Sequence, residues 1–111
     1  MQIFITGATG FIGNNLAKRL ANEGNIIHAL CRDIHTKVLN HQNIKIFGGD
    51  ITDINSIEKA MRGCEQVYHL AAYARVWAKD PSTYYRLNVE GAQNVFDVAR
   101  NLEIRKIVFK K

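Results

Sequence analysis

A short segment near the amino terminus carries a spacing of glycines that is suited to binding an anion. Gly7, Gly10 and Gly13 follow a run of β-branched and aromatic residues and open a stretch with helical spacing. In such a turn the first glycine permits a sharp bend, the second lets the backbone approach a pyrophosphate, and the third lets the helix pack against the strand. Backbone amides at the positive end of the helix would complete the site, and the residues expected to present them are Thr9, Phe11 and Ile12. The segment predicts a dinucleotide-binding turn.

The end of the second predicted strand bears on which dinucleotide would bind. In turns of this kind an acidic residue about twenty positions further on holds the adenosine ribose, and an arginine accommodates a 2′-phosphate. Cys31 stands where the acid is expected, and Arg32 follows it. Arg32 favours NADP over NAD, because a guanidinium makes paired hydrogen bonds to phosphate oxygens. Two alternatives stay open: Arg32 is a solvated residue at the strand end, or Asp33 places its carboxylate on the ribose.

Two further groups of residues follow predicted strands three and four, at the edge where ligands of open α/β sheets bind. Asp50 is interpreted either as an acceptor for the adenine amino group or as a cap of its own loop, and Ile51 would flank the ring by apolar contact. After strand four, small side chains would let a bulky cofactor lie against the backbone at Leu70, Ala71 and Ala72.

The histidines and cysteines do not form a pattern of metal ligands. The four histidines have no i, i+4 pair on a predicted helix, and His69 is interpreted as a packed strand residue without an acid–base role. Cys31 and Cys64 lie in or beside apolar stretches, outside any CxxC motif. The sequence therefore predicts no metal site and the free thiols of a reducing compartment. The apolar run before Thr6 is too short for a signal segment or a membrane span, so a cytoplasmic protein without a membrane partner is expected.

The elements that position these residues alternate between strand and helix. Strands are predicted over 2–6, 26–31, 44–47, 66–70 and 104–109, and helices over 11–21, 53–63 and 81–102. Gly24 marks the end of the first helix, and Asp80 followed by Pro81 marks the start of the third. Right-handed crossovers between such units predict an α/β fold with a doubly wound parallel sheet of five strands, in the order 3-2-1-4-5, and helices on both faces. One domain is expected to cover residues 1–111.

Composition and charge limit the class of protein further. The chain has 111 residues, of which 47% are hydrophobic and 23% charged, and these values suit one globular domain rather than a disordered, collagenous or disulfide-rich chain. The formal net charge of +5 admits an anionic partner. Residues 100–111 supply +4 of it, from five basic residues against Glu103, so the rest of the chain offers no basic face. The sequence predicts no nucleic-acid partner.

Four segments, in this order, resemble the extended short-chain dehydrogenase/reductase family, whose members have a Rossmann-type sheet. They are Thr6-Gly7-Ala8-Thr9-Gly10-Phe11-Ile12-Gly13, Gly49-Asp50, His69-Leu70-Ala71-Ala72 and Asn88-Val89-Glu90-Gly91. The residues most similar to the dihydroflavonol-4-reductase-like branch, within the NAD-dependent epimerase/dehydratase group, are Cys31-Arg32-Asp33 and the segment 72–77. The resemblance covers essentially the whole chain.

The resemblance implies where a cofactor would bind. It assigns the pyrophosphate to Gly7, Gly10, Phe11, Ile12 and Gly13. It assigns a 2′-phosphate to Arg32, adenine to Asp50 and Ile51, and the nicotinamide side to Leu70, Ala71 and Ala72. A helix asparagine of the family, which shapes the site through backbone and water contacts, is matched by Asn88. The expected cofactor is NADP, with NAD as the alternative.

The catalytic residues of that family have no counterparts in this sequence. Its members carry a Ser or Thr just after the fifth strand and then a Tyr-x-x-x-Lys pair, in which the Tyr is the acid/base and the Lys lowers its pKa. None of the four tyrosines is followed four residues later by a lysine. Because proton transfer needs a positioned group with a tuned pKa, the chain is expected to be the amino-terminal cofactor half of a longer reductase of carbonyl or alcohol substrates, cut before its catalytic segment and inactive alone.

Two alternatives to a reductase stay open. The first is half of an NAD-dependent sugar-nucleotide epimerase or dehydratase. The second is a non-catalytic module that senses nucleotides or mediates interactions. In each case strand five would form an edge of the sheet and one sheet face would be thinly covered, so a homo-oligomer that pairs through this region is expected.

Overall fold

Five strands and three helices lie along residues 1–71 and 81–109, the part of the chain that the computed structural model describes, with a helix between consecutive strands except the second and third. In chain order they are β1 (Gln2–Thr6), α1 (Phe11–Asn22), β2 (Ile26–Cys31), β3 (Ile44–Gly48), α2 (Ile54–Met61), β4 (Gln66–His69), α3 (Pro81–Asn101) and β5 (Lys106–Phe109). The alternation predicted from the apolar runs and helical spacings is confirmed, with shifts of a few residues at element ends.

The strands are all parallel and lie in the order β3-β2-β1-β4-β5, as predicted. The central strand is β1, where Ile3 lies opposite Ile27 of β2 and Gln66 of β4. The chain moves from β1 outward to β3 and then returns to the other side of β1, so the strand order reverses between β1 and β4. Ligands of such sheets bind in the crevice beyond the carboxyl ends of the strands at this switch point.

Helices cover both faces of the sheet because alternate residues of a strand point to opposite sides. On one face Ile5 packs in a buried cluster with Ala17 of α1. On the other face Phe4 packs with Ile57 of α2 and Val95 of α3, and all three side chains are fully buried. The small residue at position 17 lets α1 approach the sheet closely, which brings the amino end of this helix to the carboxyl end of β1.

The turns that end α1 and α3 are of one type, but only the first uses glycine. After α1, Gly24 has a φ of 94°. After α3, Glu103 takes the same left-handed conformation with a φ of 58°, and the Ile104 amide donates to the Ala99 carbonyl at 2.9 Å. This turn occupies residues that were predicted to be strand, so β5 begins at Lys106 and the expected start at position 104 is wrong.

Close packing fixes α3 against the loop that follows β3. A Cβ at Gly91 would collide with the Ile51 side chain, so the glycine lets the loop lie directly on the helix. One turn further on, the Asn94 side-chain amide donates to the Ile51 carbonyl at 2.9 Å. These two contacts hold the loop at the carboxyl edge of the sheet, beside the switch point.

Candidate functional site

A cavity of about 320 Å³ opens at the carboxyl edge of the sheet. It brings together eight of the residues predicted from the sequence, which are Gly7, Thr9, Gly10, Arg32, Asp50, Ile51, Leu70 and Ala71. Four lining residues were not predicted to bind, namely Thr6, Leu30, Cys31 and Gly49. The signal that could have found them is their position at or beside the ends of β1, β2 and β3, because parallel strands end at one common edge.

Two of the three glycines in the turn between β1 and α1 are required by the protein's own packing. Gly7 has a φ of 76°, and a Cβ there would lie 2.6 Å from the Ala71 nitrogen. A Cβ at Gly13 would collide with the carbonyl oxygen of Gly7, so only glycine lets the first turn of α1 approach β1 so closely. The packing role predicted for Gly13 is therefore what the structure shows.

Gly10 is different, because the protein itself does not require glycine there. It has ordinary extended backbone angles, φ −75° and ψ 168°, and is exposed. A Cβ at Gly10 would approach the Gly7 carbonyl oxygen to only 3.4 Å. Neither strain nor packing explains this glycine, and the space that a side chain would occupy lies on the wall of the cavity. In dinucleotide-binding turns, a glycine at this position lets the backbone approach a pyrophosphate closely.

The amino end of α1 carries hydrogen-bond donors that its N-cap residue does not cap. Gly10 is the N-cap residue, and no side chain of the described residues makes a cap hydrogen bond there. The first-turn amides of a helix have no intrahelical acceptor, and here they belong to Phe11, Ile12 and Gly13. The side chains of Phe11 and Ile12 are 85% and 54% exposed and do not line the cavity, so these residues offer their amides rather than their side chains. The helix dipole adds attraction for an anion.

At the end of β2 the structure separates the two residues that compete for the adenosine end of a dinucleotide. Arg32 lines the cavity and Asp33 does not. One carboxylate oxygen of Asp33 accepts a hydrogen bond from the His35 amide at 2.8 Å, which engages it in a local turn. Burial and the neighbouring Asp33 raise the pKa of the Cys31 thiol to about 11, so the thiol is neutral at physiological pH. The β2 end therefore contributes an uncharged thiol and the Arg32 guanidinium to the cavity wall, with the Asp33 carboxylate beside the wall but not lining it.

The loop after β3 is held by its own hydrogen bonds. An Asp50 carboxylate oxygen accepts from the Ile51 amide at 2.7 Å, and the Asp50 amide donates to the Ser56 hydroxyl at 3.2 Å. The loop-capping role that was one interpretation of Asp50 is thus present, and Asp50 also lines the cavity. Ile51 is 5% exposed and packs against Gly91, so most of its side chain serves the core.

At the end of β4, Leu70 and Ala71 form the opposite wall of the cavity. Both amides donate to the Thr6 hydroxyl at 3.1 Å, so β1 and β4 are joined at their carboxyl ends. His69 is buried, as its interpretation as a packed strand residue requires, and burial lowers its pKa. Asn88 lies half-buried on α3 and does not line the cavity. Ala72 lies outside the described residues.

Among residues 1–71 and 81–109, histidine, cysteine and acidic side chains do not gather in groups of three that could hold a metal ion. None of the helices within the same ranges is both long and apolar enough to span a bilayer. Both Cys31 and Cys64 are buried free thiols.

Comparison with known proteins identifies the family. Residues 3–110 match the NAD dependent epimerase/dehydratase family. The chain belongs to this family. It is 34% identical over 106 residues to the 2-alkyl-3-oxoalkanoate reductase of Shewanella oneidensis, covering 96% of this chain and 27% of that protein. It is 31% identical over 118 residues to the dihydroflavonol 4-reductase of Gerbera hybrida, covering 96% of this chain and 32% of that protein.

A solved structure shows the same fold. The UDP-glucose 4-epimerase of Thermus thermophilus, in complex with NAD, superposes with a TM-score of 0.82 at 28% identity, covering 98% of this chain and 37% of that one. The chain thus spans about one-third of the length of the relatives it matches. The family, the Rossmann-type sheet and the correspondence to an amino-terminal part of dihydroflavonol-4-reductase-like proteins are confirmed.

Proposed function

We propose that this chain is the NADP(H)-binding amino-terminal domain of an NADP-dependent reductase that acts on a carbonyl or alcohol substrate. The observation that carries the proposal is the glycine turn, in which neither strain nor packing requires Gly10 and, among the residues that the structure describes, no side chain caps the first amides of α1. A pyrophosphate would accept hydrogen bonds from these amides. When bound, the cofactor would supply the hydride, and the protein would hold and orient it.

The preference for NADP rests on the end of β2. Arg32 would meet the 2′-phosphate from the cavity wall, and a guanidinium binds phosphate through paired hydrogen bonds. Asp33, which would favour the ribose of NAD, lies off the cavity and accepts from the His35 amide. The neutral Cys31 thiol places no negative charge where a 2′-phosphate would lie.

The other parts of the cavity would bind the two arms of the cofactor. Asp50 and Ile51 would contact adenine, and Leu70 and Ala71 would lie along the nicotinamide. We expect negligible turnover from the 111-residue chain alone, because its tyrosines have no lysine four residues later to form the acid–base pair. We also expect weaker binding than in a complete reductase, because the nicotinamide ribose would lack that lysine.

The second candidate is the cofactor half of an NAD-dependent sugar-nucleotide epimerase or dehydratase. The match to a UDP-glucose 4-epimerase in complex with NAD favours it. Its cofactor would bind without a 2′-phosphate, so Arg32 would make no phosphate contact. The two candidates therefore differ in the ratio of the affinities for NADPH and NADH.

Titration of the chain with NADPH and NADH, followed by nicotinamide fluorescence, tests the proposal. We expect NADPH to bind at least about tenfold more tightly, which corresponds to about 1.4 kcal/mol from the paired phosphate contact. Arg32→Ala should remove this preference. The matched control is Arg105→Ala, an exposed arginine just before β5 at the opposite, amino edge of the sheet, which should keep the preference.

Equal affinities for the two cofactors in the unmodified chain would instead favour the NAD-dependent candidate. A preference that survives Arg32→Ala would show that another group binds the 2′-phosphate. Reduction of an aldehyde or ketone at ordinary enzyme rates by this chain would contradict the expectation that it is inactive alone.

We further propose that the chain forms a homo-oligomer through the region of β5, in the cytoplasm. The edge position of β5 and two aromatic side chains that remain partly exposed there support this, since Phe96 is 40% and Phe109 is 39% exposed. The buried free thiols of Cys31 and Cys64 suit a reducing compartment. A strictly monomeric sedimentation profile at high concentration would contradict the oligomer.

A further inference from the structure

A buried polar cluster links the two central strands directly beneath the cavity. Thr6, the last residue of β1, is 1% exposed, and His69, the last residue of β4, is 6% exposed. The Thr6 hydroxyl oxygen lies 2.7 Å from Nδ1 of His69. The same oxygen accepts hydrogen bonds from the amides of Leu70 and Ala71, each at 3.1 Å. One side chain thus contacts three consecutive residues at the end of β4.

The number of hydrogen bonds fixes the direction of each one. A hydroxyl oxygen has two lone pairs and one proton. The amides of Leu70 and Ala71 approach the lone pairs of the hydroxyl oxygen, and the Leu70 amide is shared with the Thr6 backbone carbonyl at 3.1 Å, so the geometry directs the Thr6 proton to His69. Nδ1 of His69 is then the acceptor, and the ring carries its proton on Nε2. The ring is neutral in this arrangement, and burial, which lowers the pKa of His69, favours the neutral form.

The cluster determines where the β4 wall of the cavity stands relative to the glycine turn. Gly7 packs so closely on the wall that a Cβ there would lie 2.6 Å from both the Ala71 nitrogen and the Leu70 carbonyl carbon. The β2 wall is held by a separate contact, in which the Gly49 amide donates to the Cys31 carbonyl at 3.0 Å. A change at Thr6 therefore moves one wall without breaking the contacts of the other.

We propose that the Thr6 hydroxyl, oriented by His69, positions Leu70 and Ala71 and thereby sets the affinity for the nicotinamide arm of the dinucleotide but not for its adenosine arm. This rests on the proposed function. The two arms extend from the pyrophosphate at α1 to opposite sides of β1, because β2 and β4 flank that strand. Thr6 and His69 are positioning residues, since they act through the backbone that they hold.

The test compares two ligands in matched variants. Thr6→Val has nearly the same shape but removes the acceptor of the part-buried Ala71 amide, while the Leu70 amide keeps the Thr6 backbone carbonyl, and we expect it to weaken NADPH binding about tenfold. Binding of 2′,5′-ADP, which has the adenosine arm only, should change by less than about twofold. Thr6→Ser keeps the hydroxyl and should restore NADPH affinity to within about twofold of the unmodified chain.

A second variant and a measurement without ligand keep the proposal testable if Thr6→Val fails to fold. His69→Leu leaves the Thr6 oxygen in place but removes the group that orients it, and should weaken NADPH binding about threefold without affecting 2′,5′-ADP. Imidazole nitrogen chemical shifts should show His69 protonated on Nε2 and unprotonated on Nδ1.

Failure of the positioning role can be distinguished from failure of the proposed function. Equal loss of both ligands in these variants, no loss of either, or failure of Thr6→Ser to restore binding would overturn the positioning role while leaving the cofactor site intact. A proton on Nδ1 of His69 would overturn the hydrogen-bond directions. An unmodified chain that binds neither ligand would overturn the proposed function, and the positioning role with it.

Discussion

The helices α1 and α2 both begin at the carboxyl edge of the sheet, but they differ in the residue at the N-cap position. At α2 the Asp53 side chain caps the helix and accepts hydrogen bonds from the amides of Asn55 and Ser56 at 3.1 and 3.4 Å. At α1 the corresponding position is Gly10, which has no side chain to offer. The N-cap side chain therefore satisfies orphan donors at α2, whereas at α1 the N-cap residue leaves the same kind of donors, at the positive end of the helix, without a side-chain acceptor of its own.

The capped helix also contributes to the site, although in a structural way. The Ser56 hydroxyl, in the first turn of α2, accepts from the Asp50 amide, and its one proton faces two backbone carbonyls, that of Asp53 at 2.8 Å and that of Asp50 at 3.1 Å. The loop that forms one cavity wall is therefore hydrogen-bonded to a helix whose amino end is capped by its own side chain. We infer that the two helices have different roles: α2 stabilises the cavity wall, and α1 binds the anion.

The largest effect is expected when α1 is made to resemble α2. Gly10→Asp places a capping carboxylate where the backbone angles accept any residue and a Cβ has room. The new charge would occupy the anion position, so NADPH affinity should fall about a hundredfold. The cap should raise the free energy of unfolding without ligand by about 0.5 kcal/mol. Fluorescence titration and urea unfolding measure the two changes.

Gly10→Ala is the matched control, because it adds the same Cβ without a charge or a cap. It should fold with unchanged or slightly raised stability and lose less affinity than Gly10→Asp. If Gly10→Asp bound NADPH normally, the open end of α1 would not be the anion site. If it strongly destabilised the chain, Gly10 would be required by packing after all.

The sequence predicted the strand order and the glycine turn because both depend on local patterns. Apolar runs, helical spacing and the stop at Gly24 each lie within one element, and crossover handedness leaves few ways to assemble them. The start of β5 was predicted two residues too early because Glu103 takes a left-handed conformation usually given to glycine, which its residue type does not signal.

The site was predicted less completely, for a related reason. Residues were chosen for the chemistry of their side chains, and Thr6 and His69 act through a hydrogen bond between positions 63 residues apart. Only the pairing of β1 with β4 places these two residues side by side. Ile51 shows the opposite case, since its position in the sequence suggested a ligand contact while its side chain is mostly buried in the core and also packs on Gly91, a contact between distant segments.

The smallest effect on NADPH binding is expected when the side-chain cap of α2 is removed. This change tests whether the cap contributes to stability alone. Asp53→Ala leaves the amides of Asn55 and Ser56 without their acceptor, and should lower the free energy of unfolding by about 1 kcal/mol in urea titrations. NADPH affinity should stay within about twofold, because the Ser56 hydroxyl bonds to the backbone carbonyl of Asp53, which the substitution retains. Asp53→Asn keeps a capping oxygen and should lose only a few tenths of a kcal/mol. A large loss of NADPH affinity in Asp53→Ala, with the free energy of unfolding little changed, would show that the capped end of α2 takes part in binding. The two helices would then not have separate roles.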